Sequence, residues 1–460
     1  MHRFSTTISR RLVLKSLAAL PLAAALQAPA FASSPADAVV VSLADLHSPY
    51  RQLPRILTAI RQAKAAAPEG GFAILVNGDV FERGNVVAVR SAGAVDWRFI
   101  EALVAEAPVV LNLGNHETAL VDDMVEFVER AQGAGVTVIG NLVDARTGRF
   151  FAPVSTELEL GGLKLALLGL APTNPFVYRE PVRKTLAFLD PVAFATQNHA
   201  TLMANADVPI VMSHAGVTAD RAILASLKGP VLVIGGHDHL RLDHAGDDAT
   251  YFHGGSWGSE IRVVRIKGGE TPTFEVETVA ITPSIEPDAT LQAAVEAELD
   301  AHLTEEDRTV ITTRSAALDL PSSILVAVEA VRKATEADVA MLGHTTFGQG
   351  LPEGDLTQYD FDAFVRFGGD IRVVELPGER LSAILTRANQ HDAATLDERT
   401  GDFVHANPLA IDPQGTYKLA VNGWTAQNQA AYLGTDDLAF EPVDGLELKA
   451  TVRQALAQGA

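Results

Sequence analysis

The chain has 460 residues, of which 47% are apolar and 20% charged; it carries a formal net charge of −21 and no cysteine. Its length exceeds one ordinary core, so two domains are expected, and its composition is that of a folded protein. The acidic balance argues against capture of nucleic acid polymers or anionic lipid, and the lack of cysteine excludes disulfides, thiolate metal sites and a cysteine nucleophile.

Residues 1–32 read as an export address and are set aside from any fold argument. Ser9-Arg10-Arg11-Leu12-Val13-Leu14-Lys15 resembles the twin-arginine signal; an Ala/Leu-rich run from Ser16 to Ala28 and the small-x-small site Ala30-Phe31-Ala32 follow. Pro21, Gln27 and Pro29 interrupt a run already shorter than the ~20 residues a membrane span needs. The expectation is a bacterial protein, periplasmic or secreted, with no membrane anchor after signal cleavage.

Next come five apolar runs that each end in oxygen or imidazole donors. VVVSLAD reaches Asp45 and His47, and FAILVNGD reaches Asp79. PVVLNLGNHE reaches Asn115, His116 and Glu117; VPIVMSH reaches His214; PVLVIGGHDH reaches His237 and His239. The repetition suggests one site assembled at one sheet edge. Between the runs, helices are expected over Gln52–Ala67 and Asp122–Gln132, the latter with Met124, Val125 and Val128 inward. Further strands are expected at Val136–Ile139 and Leu163–Leu170. Near-continuous Val/Ile/Leu runs are what strands buried on both faces look like, so an α/β domain is expected over residues 33–285.

An acidic, Ala-rich segment with Leu291, Val295, Leu299 and Leu303 at four-residue spacing predicts a linker helix over 286–306. The second domain, 307–460, shows a helical pattern at Ser322–Ala334 (Ile324, Leu325, Val328, Val331), then a Gly-rich loop, Gly343–Gly354. Strands at Ile371–Leu376 and Lys418–Val421 and a helix over Glu379–Asn389 complete the pattern.

The strand-end donors Asp45, His47, Asp79, Asn115, His214, His237 and His239 mix hard oxygens with imidazoles. That mixture suits Zn, Mn or Fe and not calcium. Their number exceeds what one ion needs when water must also bind, so two ions about 3.5–4 Å apart, sharing Asp79, fit better. His237 and His239, at i and i+2 after a buried strand, would point the same way if the chain stayed extended.

Asp45-x-His47, Gly78-Asp79 with Gly84, Gly114-Asn115-His116-Glu117, the isolated His214 and Gly236-His237-x-His239 together resemble the calcineurin-like metallophosphoesterases, over roughly residues 38–265. The resemblance implies a β-sandwich flanked by helices. It implies one ion held by Asp45, His47, Asp79 and His239 and another by Asp79, Asn115, His214 and His237. A metal-bridging hydroxide would attack the phosphoryl group, and His116 would protonate the leaving oxygen. Many 5′-nucleotidases place an Asp three residues after that histidine; here Ala119 stands there. Glu82 matches the acid of the protein-phosphatase branch, with an exposed turn glutamate paired to Arg83 as the competing reading.

The second domain resembles, more loosely, the α+β C-terminal domain of bacterial 5′-nucleotidases. Phe367-Gly368-Gly369 resembles its Pro-Phe-Gly-Asn turn, and Thr416 through Trp424 to Tyr432 its last core strand and loop. By that resemblance Phe367 and Trp424 would sandwich a nucleobase; aromatics packed in a core are the alternative. The family's Asn-Gly-Gly-x-Arg loop reads Gly343-His344-Thr345-Thr346-Phe347-Gly348 here, so the loop arginine is missing and His344 could line substrate. His244, His253 and His405 read as structural or surface residues. The expected function is a monomeric, dimetal (Mn or Zn) phosphohydrolase acting on small phosphoesters, nucleotide phosphomonoesters first. Alternatives are a phosphodiesterase acting on 2′,3′-cyclic nucleotides, a non-nucleotide phosphatase, and a metal-containing binding or scaffold protein.

Overall fold

The computed structural model describes residues 36–246, 248–388, 395–401 and 403–459; the export segment lies outside the described residues. Among them no helix is long and apolar enough to cross a membrane. The N-terminal domain is a sandwich of two six-stranded sheets. In the first, Ala38–Leu43, Phe72–Asn77, Val109–Asn112 and Thr137–Ile139 run parallel, and Glu260–Lys267 and Thr273–Ala280 add antiparallel on the other side. In the second, Leu163–Leu170, Val208–Ser213, Val231–Gly235 and Ala249–Gly254 run parallel.

Alternation along each strand explains the layers. Ala38 and Val40 face the partner sheet with Leu75, Ile210 and Ile234, while Val39 and Val41 face helices Leu53–Ala65 and Ala94–Glu106. The second sheet repeats this, with Val211 and Val233 packed on helix Val217–Ser226. Burial on both faces is why these strands read as unbroken apolar runs. The strands EIRVVRIK and TFEVETVA give no such run. Arg262 and Arg265 are buried yet neutralised, by Glu260 and Asp243 and by Glu277 respectively.

Several expectations change in detail. Helix Met124–Gly133 buries Phe127 and Ala131, and Val125 is only half-buried. Helix Ala289–His302 is not a free connector. Leu291 and Val295 pack it against the three helices beside the first sheet, and Asp288 caps its start by accepting from the Leu291 N–H. In helix Leu320–Thr335, Ile324, Val328 and Val331 are buried but Leu325 points outward.

The C-terminal domain is built on a five-stranded mixed sheet, in the order Val404–Ala406, Val339–Gly343, Thr416–Asn422, Asp370–Pro377, Glu441–Glu447. Helices Leu320–Thr335 and Leu448–Ala457 cover one face, and helix Gly378–Ala388 covers the other. This domain folds back onto the sandwich. Leu396 and Phe403 pack into the apolar layer around helix Val217–Ser226, and Tyr359 packs into the layer containing Leu53 and Phe99.

Candidate metal centre

The donors do not come from a single sheet edge. Asp45, Asp79 and Asn115 follow strands of the first sheet, and His214, His237 and His239 follow strands of the second. Two asparagines stitch the sheets together beneath them. Asn77 Nδ2 donates to the Ser213 and Ile234 carbonyls, at 2.9 and 3.0 Å. Asn112 Nδ2 donates to Asn77 Oδ1 and to the Leu170 and Met212 carbonyls, at 2.9, 2.9 and 3.0 Å. Both side chains are fully buried, so these bonds fix how the two carboxyl-terminal ends meet.

The backbone then turns sharply. Asp45, His47, Asp79, His237 and His239 all adopt left-handed conformations, with φ of 50, 55, 57, 82 and 58°. Non-glycine residues rarely accept this geometry, and such strain concentrates at functional sites. It also corrects the extended-chain argument, because His237 and His239 reach different groups of donors. Gly114 permits the closest approach: a Cβ there would lie 2.4 Å from Asp79 Oδ1.

Ligand atoms of Asp45, His47 and His239 lie within 4.8 Å of one another, and so do those of Asp79, His214 and His237. His214 Nε2 links the two groups, 3.2 Å from Asp79 Oδ2 and 3.7 Å from Asp45 Oδ1. Its Nδ1–H donates to the Asn77 carbonyl at 2.6 Å, which presents Nε2 to the cluster. Asp79 Oδ1 accepts from the His116 backbone N–H at 2.7 Å, and Asp45 Oδ1 from that of His237 at 2.9 Å. Glu117 braces the turns, accepting from the Gly114 and Val80 N–H groups at 2.8 and 3.3 Å.

The donor set fits cations. Asp45 Oδ2, Asn115 Oδ1 and His239 Nδ1 are buried without a hydrogen-bond partner, and His47 Nε2 and His239 Nε2 stand 2.9 Å apart. Burial pushes the Asp45 carboxyl up to about 7, against the pull of His214. Burial also works to raise Asp79, but the His214 and His116 rings outweigh it and hold that carboxyl well below the usual range. Burial opposes protonation of His214, yet Asp79 and Asp45 lift it to about 10. Burial and then the Arg366 guanidinium push His47 down to about 4. A buried knot of opposed charges is what cation binding would relieve.

Beside this cluster lies Glu82, which is 4% exposed and does not pair with Arg83. Its Oε2 is 3.3 Å from His47 Nδ1 and 3.4 Å from His116 Nδ1, and it is ion-paired to Arg366 of the C-terminal domain. Burial works to raise Glu82, but Arg366, His116 and His47 together hold its carboxyl well below the usual range. The His116 side chain, 22% exposed, is the accessible member of this group.

Phe367 and Trp424 are 53% and 48% exposed, so neither is a core aromatic. They flank paired strands, Ile371 standing opposite Asn422, and the Trp424 indole N–H donates to the Tyr432 hydroxyl at 3.2 Å. His344 is buried, stacked on Phe403 with centroids 4.4 Å apart; its Nδ1 lies 2.9 Å from His405 Nε2. Of the other histidines, His253 is buried 3.3 Å from Asp220 and His244 is exposed. Sequence reasoning gave no role to Asn77, Asn112 or Glu117 and missed Trp257 and Arg366. A signal existed for Arg366, which stands where the related turn has proline.

Residues 38–241 match the family model for calcineurin-like phosphoesterase, and residues 301–404 match that for 5′-nucleotidase, C-terminal domain. No curated protein matches the chain. Among solved structures it is similar to a 5′-nucleotidase precursor from Thermus thermophilus, at 17% identity and TM-score 0.62, covering 92% of this chain and 96% of that one. It is also similar to the sulfate thiohydrolase SoxB of Thermus thermophilus, at 16% identity and TM-score 0.65, covering 92% and 94%. A 5′-nucleotidase from Candida albicans aligns at 12% identity and TM-score 0.57, covering 92% and 98%. At such identities these likenesses establish the fold. The family matches identify residues 38–241 as a calcineurin-like phosphoesterase domain and residues 301–404 as a 5′-nucleotidase-type C-terminal domain, and so the chain as a hydrolase of phosphoric ester bonds.

Proposed function

We propose that this chain hydrolyses nucleotide phosphomonoesters outside the cytoplasm, using two divalent cations, Mn or Zn. The observation that carries the reading is the convergence of donors from two sheets on buried atoms with no hydrogen-bond partner. Asp45, His47, Asp79 and His239 would hold one cation, and Asp79, Asn115, His214 and His237 the other. When bound, such a pair supplies Lewis acidity, making hydroxide available near neutral pH and screening the phosphoryl oxygens.

The chain's own residues do the rest. His116, accessible where its neighbours are not, donates a proton to the leaving alkoxide; Glu82 orients its ring through Nδ1. The Asn115 amide lies next to it in sequence and would meet the phosphoryl group. Phe367 and Trp424 expose faces on which a nucleobase can stack, a contact worth ~1–3 kcal/mol per base. The rebuilt loop has no arginine and carries His344, which is buried against Phe403 and would meet substrate only at its 6% exposed edge.

That replacement is also the observation favouring a second reading, hydrolysis of a phosphodiester such as a 2′,3′-cyclic nucleotide, which presents one fewer negative charge. Export through the twin-arginine route and a monomeric state belong to the same proposal, as do the boundaries at residues 32, 285 and 306. The test is turnover of p-nitrophenyl phosphate by Mn- or Zn-loaded protein, with and without EDTA. AMP, 2′,3′-cyclic nucleotides and bis(p-nitrophenyl) phosphate are then compared. EDTA-sensitive hydrolysis with AMP preferred is expected. Preference for the diesters would favour the second reading, and no turnover of any ester would leave a binding protein.

A further inference from the structure

Glu82 Oε2 is the meeting point of three nitrogen groups: His47 Nδ1, His116 Nδ1 and Arg366 Nη2. The other oxygen, Oε1, accepts from the Gly84 N–H at 2.7 Å, and the Glu82 N–H donates to Ser48 Oγ at 3.0 Å. The carboxylate is therefore held at both oxygens and shut away from water. A buried carboxylate without a fixed counter-charge would be costly, and among the described residues Arg366 is the one that brings it a permanent positive charge.

Arg366 arrives from 284 residues away, and its own side chain is 3% exposed. Its guanidinium carbon sits 4.9 Å from the centroid of Trp257 and 4.9 Å from that of Phe367. Trp257 in turn stacks on His47 with centroids 5.2 Å apart. Gly348 of the altered loop lets the C-terminal domain close against Trp257, since a Cβ there would lie 2.7 Å from its Cζ2. The Arg366 backbone N–H donates to the Thr346 carbonyl of the same loop at 3.2 Å. The arginine is thus anchored on one domain and spent on the other.

We propose that Arg366 is a positioning residue for phosphoester hydrolysis, delivered by the C-terminal domain to fix the Glu82 carboxylate between the imidazoles of His47 and His116. The N-terminal domain does not complete its own centre. This rests on reading His116 as the proton donor to the leaving group. Because Arg366 also lies over Phe367, the surface offered to a nucleobase and the support of the proton donor share one side chain.

The experiment uses the full mature chain, Mn-loaded, with p-nitrophenyl phosphate. Arg366→Met keeps bulk on Trp257 and removes the charge; Arg366→Lys keeps the charge and loses the fork. Arg366→Met is expected to lower kcat about 10–100-fold, the usual loss for an outer partner, with bound metal intact and KM little changed. Arg366→Lys falls between. Glu82→Gln loses a similar factor, and the double variant is no worse than the weaker single variant, because the second change removes a link already broken. Wild-type kcat in Arg366→Met, or losses that multiply in the double variant, would overturn the inference while leaving the phosphohydrolase reading intact. If wild type shows no metal-dependent turnover, that reading fails by itself. The Arg366–Glu82 link is then read from urea midpoints of the same four proteins, where additive shifts would overturn it. Should Arg366→Met not fold, Arg366→Lys takes its place in both cycles.

Discussion

His116 and Asp79 illustrate how neighbouring side chains divide the work. His116→Asn should retain metal and lose turnover by about 10²–10⁴-fold, the range for a positioned acid; single-turnover kinetics on Mn-loaded protein checks it, and full activity would remove the residue from the chemistry. Proton linkage supplies a second prediction. Asp45 is pushed up to about 7 and His214 to about 10, so below about pH 7 both carry a proton that a cation must displace, and above it only His214 does. Metal affinity of the apoprotein should therefore rise with pH between about 6 and 8, more steeply in the lower half of that range and by roughly tenfold per unit in the upper half. Calorimetry in buffers of different ionisation enthalpy would show the released protons, and a pH-independent affinity would contradict it. The ligand types were legible in the sequence because few side chains bind hard or borderline cations. The directions of His237 and His239 were not, since left-handed turns break the alternation on which the argument relied.

At the scale of elements, the site depends on the two sheets meeting in register at their carboxyl ends. Asn112→Ala removes the donor to Asn77 and to two carbonyls of the opposite sheet. It leaves buried polar atoms unsatisfied, so the cost should be about 2 kcal/mol or more by urea unfolding. A stability equal to wild type would mean that the asparagine bridge is incidental. The parallel strands were readable as apolar runs, often to the residue: Leu163–Leu170, Val208–Ser213 and Val231–Gly235 form as expected. Glu260–Lys267 and Thr273–Ala280 were not, because charged residues interrupt them and the buried Arg262 and Arg265 find Asp243 and Glu277 on other strands. The spacing of Leu291 and Val295 indicated a helix; that it packs on the sandwich instead of linking domains is a tertiary fact.

For the whole molecule, the two domains share the centre. Leu396, Phe403 and Tyr359 close the C-terminal domain onto the sandwich, and Arg366 reaches Glu82 across that contact. None of this is visible in a linear pattern, because it depends on residues hundreds of positions apart. Trp424→Ala should raise KM for AMP several-fold, in line with a stacking contact of ~1–3 kcal/mol, and leave p-nitrophenyl phosphate turnover nearly unchanged; Phe367→Ala should raise the same KM and, through the loss of its contact with Arg366, also lower kcat. Equal losses on both substrates in Trp424→Ala would assign that aromatic to stability. The most direct test of the account is the metal content of mature protein dialysed after Mn loading, read by mass spectrometry. Two equivalents per chain are expected in the wild type, with clear loss in Asp79→Asn; a wild type that keeps less than one, or an Asp79→Asn variant that keeps two, would contradict it.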